Sequence, residues 1–189
     1  MKKYFLTLAP LIIFIVICSC STKNEIGETK APVYLVVTNI TAGMIPFGDI
    51  RNDVGMIYDE TVSVEFRNEF KNPDYPTYSS YTDIVVTHYR VSFTRTDGGK
   101  EAPAGFDANV NFHIPSNDST LIYGVVILRS HQKTQPPIGF LQPDSLGFEP
   151  ATNYTSIGCR AWLEFSGATF AGDKVFASGS IDVTFYDYD

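Results

Sequence analysis

Between Glu60 and Phe70 the side chains Val62, Val64 and Phe66 fall on one face of an extended chain, and Ser63, Glu65 and Arg67 on the other. This period-two alternation constrains the fold more than any other feature of the sequence, because it suits a half-buried strand and no helix. It recurs along the chain. Residues 83–95 set Val85, Tyr89, Val91 and Phe93 against His88, Arg90, Ser92 and Thr94. Residues 108–114 set Val110, Phe112 and Ile114 against Asn109, Asn111 and His113. Residues 156–167 put Ile157, Cys159, Ala161, Leu163 and Phe165 on one face, and residues 175–189 set Ile181, Val183 and Phe185 opposite Ser180, Asp182, Thr184 and Tyr186. Residues 33–40 form an apolar run, and 120–130 is so nearly apolar throughout that it predicts a central strand. No stretch of twelve residues shows helical spacing with caps. An aromatic content of 14% agrees with strand-forming composition.

Seven short strands separated by turn signals such as Asp97-Gly98-Gly99, Ser116-Asn117-Asp118 and Gly172-Asp173 predict a two-sheet antiparallel sandwich. Phe112, Val126, Leu163 and Val183 are expected to be buried on its facing sheets. The stretch Phe148-Glu149-Pro150-Ala151-Thr152-Asn153-Tyr154 resembles the fibronectin type III pattern that enters the sixth strand, Leu-x-Pro-x-Thr-x-Tyr. The resemblance implies that Tyr154 closes a corner by hydrogen-bonding back to the backbone. Tyr154 is out of phase with Ile157 and Cys159, so a bulge near Gly158 is expected. With the stretches around Lys133 and Ser178, the pattern looks like uncharacterised bacterial lipoproteins carrying an immunoglobulin-like sandwich, a resemblance that implies no chemistry.

The first residues carry a different message. Lys2 and Lys3 precede an uncharged apolar run from Tyr4 to Ile17, which is shorter than the roughly 20 residues needed to span a bilayer. It reads as a secretory signal peptide. Ile17-Cys18-Ser19-Cys20 then resembles the bacterial lipobox, with Cys18 at a position where Ala or Ser is more usual. The resemblance implies cleavage before Cys20 and acylation, with palmitate among the chains, of the Cys20 sulfur. Ser21 resembles an outer-membrane address. The expected organisation is a signal peptide over 1–19, a lipidated cysteine and flexible tether over 20–31, and a sandwich domain over 32–189. As a coil, the polar stretch 21–31 would span roughly 20 Å.

Removal of 19 residues from the 189 leaves 170, enough for one domain with a sizeable core. It also removes two lysines, taking the net charge from −7 to −9. An acidic chain lacks the positive field that nucleic acid and anionic lipid both require, so no nucleic-acid partner is expected and anionic lipid is a poor one. Cys159 is then the last unmodified cysteine, and no internal disulfide can form. On a strand face with Leu163 and Phe165, it reads as a small buried hydrophobe.

Little in the sequence points to catalysis. His88 and His113 lie on polar strand faces and His131 opens a loop, without ligand spacing to one another or to cysteine. Neither a nucleophile elbow nor a phosphate-cradling glycine loop occurs. Asp182, Asp187 and Asp189 form an acidic end without the pattern of a calcium loop. No metal, cofactor or catalytic residue is expected, and the protein is read as a non-enzyme. Three features point to binding. The Pro-rich loop 72–81 carries Tyr75, Tyr78 and Tyr81, which suit binding and the capping of a core equally. Trp162 shares a face with Arg160 and Glu164, away from the core face. The long connections 41–59 and 131–153 hold Met44, Ile45, Phe47, Met56 and Ile57 in one, and Ile138, Phe140, Leu141, Leu146 and Phe148 in the other. In an immunoglobulin-like topology both lie at the end away from the tether. Met44, Phe47, Met56, Ile138, Phe140, Leu141 and Trp162 are therefore the expected partner contacts; the competing expectation is that the two loops fold back and finish the core. The expected function is a lipid-anchored binding or structural module of the bacterial envelope, on the outer membrane, with a protein partner. An accessory subunit of an export or pilus machine is the alternative, and a carbohydrate-active or other envelope enzyme the third.

Overall fold

A computed structural model describes residues 29–43, 47–50, 56–72, 74 and 79–187. Seven strands form an all-β, immunoglobulin-like sandwich of two antiparallel sheets. They are β1 (Val33–Ala42), β2 (Glu60–Phe70), β3 (Ile84–Arg95), β4 (Phe106–Ile114), β5 (Ser119–Leu128), β6 (Ser156–Thr169) and β7 (Lys174–Tyr186). One sheet has the order β1-β2-β5 and the other β4-β3-β6-β7. The fourth strand thus pairs with the third instead of joining the first sheet, as it does in immunoglobulin constant domains. A short helix α1 (Ser130–Lys133) and two 3-10 turns (Ser80–Thr82, Ile138–Leu141) complete the described elements.

The alternation places the core as expected along β2 and β6: Val62, Val64 and Phe66 face Ala161, Leu163 and Phe165, all buried. Phe66 meets Phe165 edge-on at 4.8 Å between ring centres, an arrangement that aromatic quadrupoles favour. Tyr89 packs on Phe165 and donates its hydroxyl to the Val126 carbonyl at 3.0 Å, which joins the two sheets and satisfies a buried phenol. Burial raises the Tyr89 phenol above its ordinary range.

Register shifts explain where the expected faces fail. In β3, Val86 pairs with Gly167 and His88 with Ser166, so Thr87 is an extra residue against β6. Ile84 and Val86 are therefore buried, and Val85 is not on their face. In β5, Val62 pairs with Val125 but Val64 with Ile122, and the extra residue falls beside Gly124 at φ +74°. The bulge turns Val125 and Ile127 inward and leaves Val126 half-buried. Leu163 and Val183 are buried as expected, and Phe112 is half-buried against the core. The strand expected to be central is an edge strand. Its apolar run has another cause. Ile127 faces the main core and Leu128 faces a second cluster beneath the loop that follows, while Leu121 and Tyr123 point outward.

That second cluster closes the end of the sandwich opposite the start of β1. Ile50, Leu128, Ile138, Leu141, Ile157, Cys159, Val183 and Phe185 pack there, and Phe47 and Phe93 touch both clusters. At the other end Asn68 is fully buried and donates to the Thr82 carbonyl at 2.9 Å. There Ala31 is buried in the main core, and Lys71 donates to the Thr29 and Pro32 carbonyls through its Nζ and its amide.

Candidate functional site

The loops at the closed end are held by buried charge. Lys133, on α1, reaches Glu60 at 2.6 Å and the Asp49 carbonyl at 2.6 Å, while Glu60 accepts from the Gly48 amide at 3.2 Å. Both charged side chains are buried. Beside Lys133, Gln132 donates to the Ala104 carbonyl at 2.6 Å, which ties in the third connection. The consequence for the expected partner contacts is direct. Ile138 and Leu141 are core residues, so neither is presented to a partner in this arrangement, and Phe47 is half-buried against both clusters. Phe140 is half-buried; Met56, Leu146 and Phe148 are exposed. Met44 lies outside the described residues.

The corner before β6 is also closed by charge. Asp97 accepts from Arg95 Nε at 2.7 Å and Nη2 at 2.8 Å, from the Gly99 amide at 3.1 Å and from the Gly158 amide at 2.9 Å. The Arg95 hydrogen bonds bring its carboxyl down to about 2, against a smaller opposing effect of burial. Glu149 stands 3.8 Å from Arg95 and accepts from the Thr152 hydroxyl and amide. Burial pushes the Glu149 carboxyl up, but the Thr152 hydrogen bonds and Arg95 together hold it below its ordinary value. The expected tyrosine corner is thus replaced. Tyr154 is 56% exposed, and its backbone carbonyl, accepting from the Glu149 amide at 2.8 Å, closes the turn. β6 pairs regularly with β7 from Ser156 onward, so no bulge forms at Gly158.

Cys159 is fully buried, and burial raises its thiol to about 12, with Arg95 acting weakly the other way. A thiol so placed is neither a nucleophile nor a ligand at neutral pH. Asp182 is bound by Arg160 through two hydrogen bonds of 2.7 and 3.0 Å, and Asp189 lies outside the described residues. Among the described residues no group of three or more His, Cys, Asp or Glu could hold a metal, and no helix is long and apolar enough to cross a membrane.

The outer face of the four-stranded sheet is unlike a plain solvated surface. Its outward side chains form rungs across β3, β6 and β7: His88-Ser166-Phe176, Arg90-Glu164-Ser178, Ser92-Trp162-Ser180 and Thr94-Arg160-Asp182. Large side chains alternate with serines. The serines leave a groove of about 360 Å³, lined by His88, Arg90, Glu164, Ser166, Phe176 and Ser178. Phe176 and Trp162 are 45% and 40% exposed. The Arg160 guanidinium lies 6.0 Å from the Trp162 ring, and Arg90 and His88 both reach Asp107 on β4, at 3.0 and 3.3 Å. The groove therefore offers the exposed Phe176 ring, serine hydroxyls, a guanidinium and a carboxylate, and the Trp162 ring stands beyond its lining, two rungs from Phe176. Of these residues sequence reasoning singled out Trp162 for binding. Phe176 carried a usable signal, an aromatic residue on the polar face of β7.

No family model matches the chain, and no curated protein or solved structure is found to be similar to it.

Proposed function

We propose that the protein is a lipid-anchored, extracytoplasmic binding module of a bacterial envelope, attached through Cys20, and that it binds through the outer face of the four-stranded sheet. The observation that carries the binding reading is the serine-floored groove between Phe176, Arg90 and Glu164, with Trp162 at the next outward position of β6. Exposed aromatic rings cost solvation, and a mixed aromatic and polar recess suits an elongated polar ligand with apolar faces. The anchor rests on the lipobox resemblance at Ile17–Cys20. The test is a photoreactive residue at position 178 of the full chain in living bacteria. A discrete adduct that disappears in Phe176→Ser and in Arg90→Ser supports the groove as the site. An adduct unchanged in both variants removes it.

A second reading draws on β5. Tyr123 is 75% exposed on this edge strand, with Leu121 two residues before it. An edge strand that shows apolar side chains suits docking of another subunit's strand, as an accessory role in a larger envelope assembly would require. Tyr123→Lys then abolishes co-purification of the assembly while the groove adduct persists.

A further inference from the structure

Two aromatic side chains stand exposed at the end of the sandwich where β1 begins. Phe170, 55% exposed, sits at the tip of the β6–β7 hairpin; Tyr81, 70% exposed, sits in the β2–β3 connection. They are held together. The Phe170 amide donates to the Asp83 carbonyl at 2.9 Å and the Ala171 amide to the Tyr81 carbonyl at 3.1 Å. Phe170 also stacks on His113 at 5.6 Å and 15°, and His113 is fixed by Asp83 at 3.1 Å. The ring is therefore positioned, not collapsed onto the domain. The described chain enters at this same end, through the bonds of Lys71 to the Thr29 and Pro32 carbonyls.

Length decides what this end can meet. Nine residues lead from Cys20 to Thr29, and even fully extended they reach no more than about 32 Å. As a coil they span roughly 15–18 Å, less than half of the about 46 Å that the fourteen residues of β6 measure along the strand, so on average the entry end lies nearer the anchor than the opposite end does. We infer that Tyr81 and Phe170 form a lipid-contacting tip that rests at the headgroup boundary of the membrane holding the chain. This rests on the lipid-anchored reading proposed above. Aromatic rings favour that boundary because a ring with a polar edge or handle is solvated on both sides of it. The short tether makes the contact nearly intramolecular, so a weak affinity suffices. The tip would set the domain upright and leave the serine-floored groove facing sideways into the aqueous layer.

The test uses the full mature chain, purified with its lipid and reconstituted into zwitterionic vesicles of phosphatidylcholine and phosphatidylethanolamine, which do not repel its net negative charge. A fluorescent label is placed on Ala171→Cys, or on Gln135→Cys at the opposite end; the buried Cys159 does not compete for it. Spin-labelled lipid is expected to quench the label at 171 and not at 135, and Tyr81→Ser/Phe170→Ser is expected to bring 171 down to the level of 135. Equal quenching at the two positions, in protein that floats with the vesicles, overturns the tip and leaves the anchor standing. Quenching at 171 that survives the double substitution overturns the role of these two rings. Protein that carries no acyl chain and does not float overturns the anchor, and the tip with it.

Discussion

Lys133 carries its charge where water is excluded, and it does so to reach Glu60 and the Asp49 carbonyl. Removing one partner of such a pair leaves the other charge buried and alone. Lys133→Met is therefore expected to cost about 3–5 kcal/mol in urea unfolding, and Lys133→Met/Glu60→Leu to recover much of it. A double variant no better than the single one would assign the loss to packing. Asp97 gives a pH signature. Its carboxyl ionises near 2 in the fold, against an ordinary 3.8, so it adds stability above pH 4 that is lost as pH falls toward 2. The difference corresponds to about 2 kcal/mol. Asp97→Asn should flatten the acid limb of the stability profile in that window while lowering stability at neutral pH. Neither residue could be recognised from the sequence. Asp97 read as part of an Asp-Gly-Gly turn; Arg95 lies only two residues before it, but the Gly158 amide that it accepts from and Glu149, which stands by the same Arg95, are brought there only when distant connections fold against each other.

At the scale of elements, alternation located five strands, because each has one face on a core and the pleat repeats every two residues, and apolar runs located β1 and β5. It misplaced side chains where a single extra residue reverses the pleat. In β3 that residue is Thr87, and in β5 it lies beside Gly124. Gly124 has open space where a Cβ would stand, yet its φ of +74° disfavours any L side chain. Gly124→Ala should thus cost about 1–2 kcal/mol with no steric clash, read as a shifted urea midpoint with an unchanged slope. The long loops were harder, since an apolar residue in an aperiodic stretch reads alike whether it covers a core or greets a partner. The structure separates them one by one. Ile138→Ala is expected to cost about 2–5 kcal/mol, and Met56→Ser no more than about 0.5 kcal/mol. Equal effects would place both residues in one environment.

For the molecule as a whole, what was legible was its class; the groove was not, because it depends on which strands become neighbours. Trp162 and Phe176 lie fourteen positions apart in sequence and two rungs apart on the sheet. The anchor is tested at this scale. Cys20→Ala should abolish incorporation of labelled palmitate and move the protein from the membrane to the soluble fraction or stall the precursor; acyl label retained on the variant would end the lipobox reading. The place where the chain enters the fold also decides how the domain bears load. In the lipid-anchored reading proposed above, a ligand held on the outer sheet and drawn away from the cell would pull on β6 and β7, while the tether would pull β1 along its own axis toward the lipid. β1 meets β2 at nine paired positions, with hydrogen bonds lying across the direction of that pull. They are strained together, in shear, and must give way at once. A force applied between residues 30 and 178 should thus rupture the domain at a higher load than one between residues 30 and 72, which peels the same two strands apart rung by rung. A domain hung by its first strand, as the proposed anchor would hang it, would in this way be mechanically strong along the line on which a bound ligand would tug.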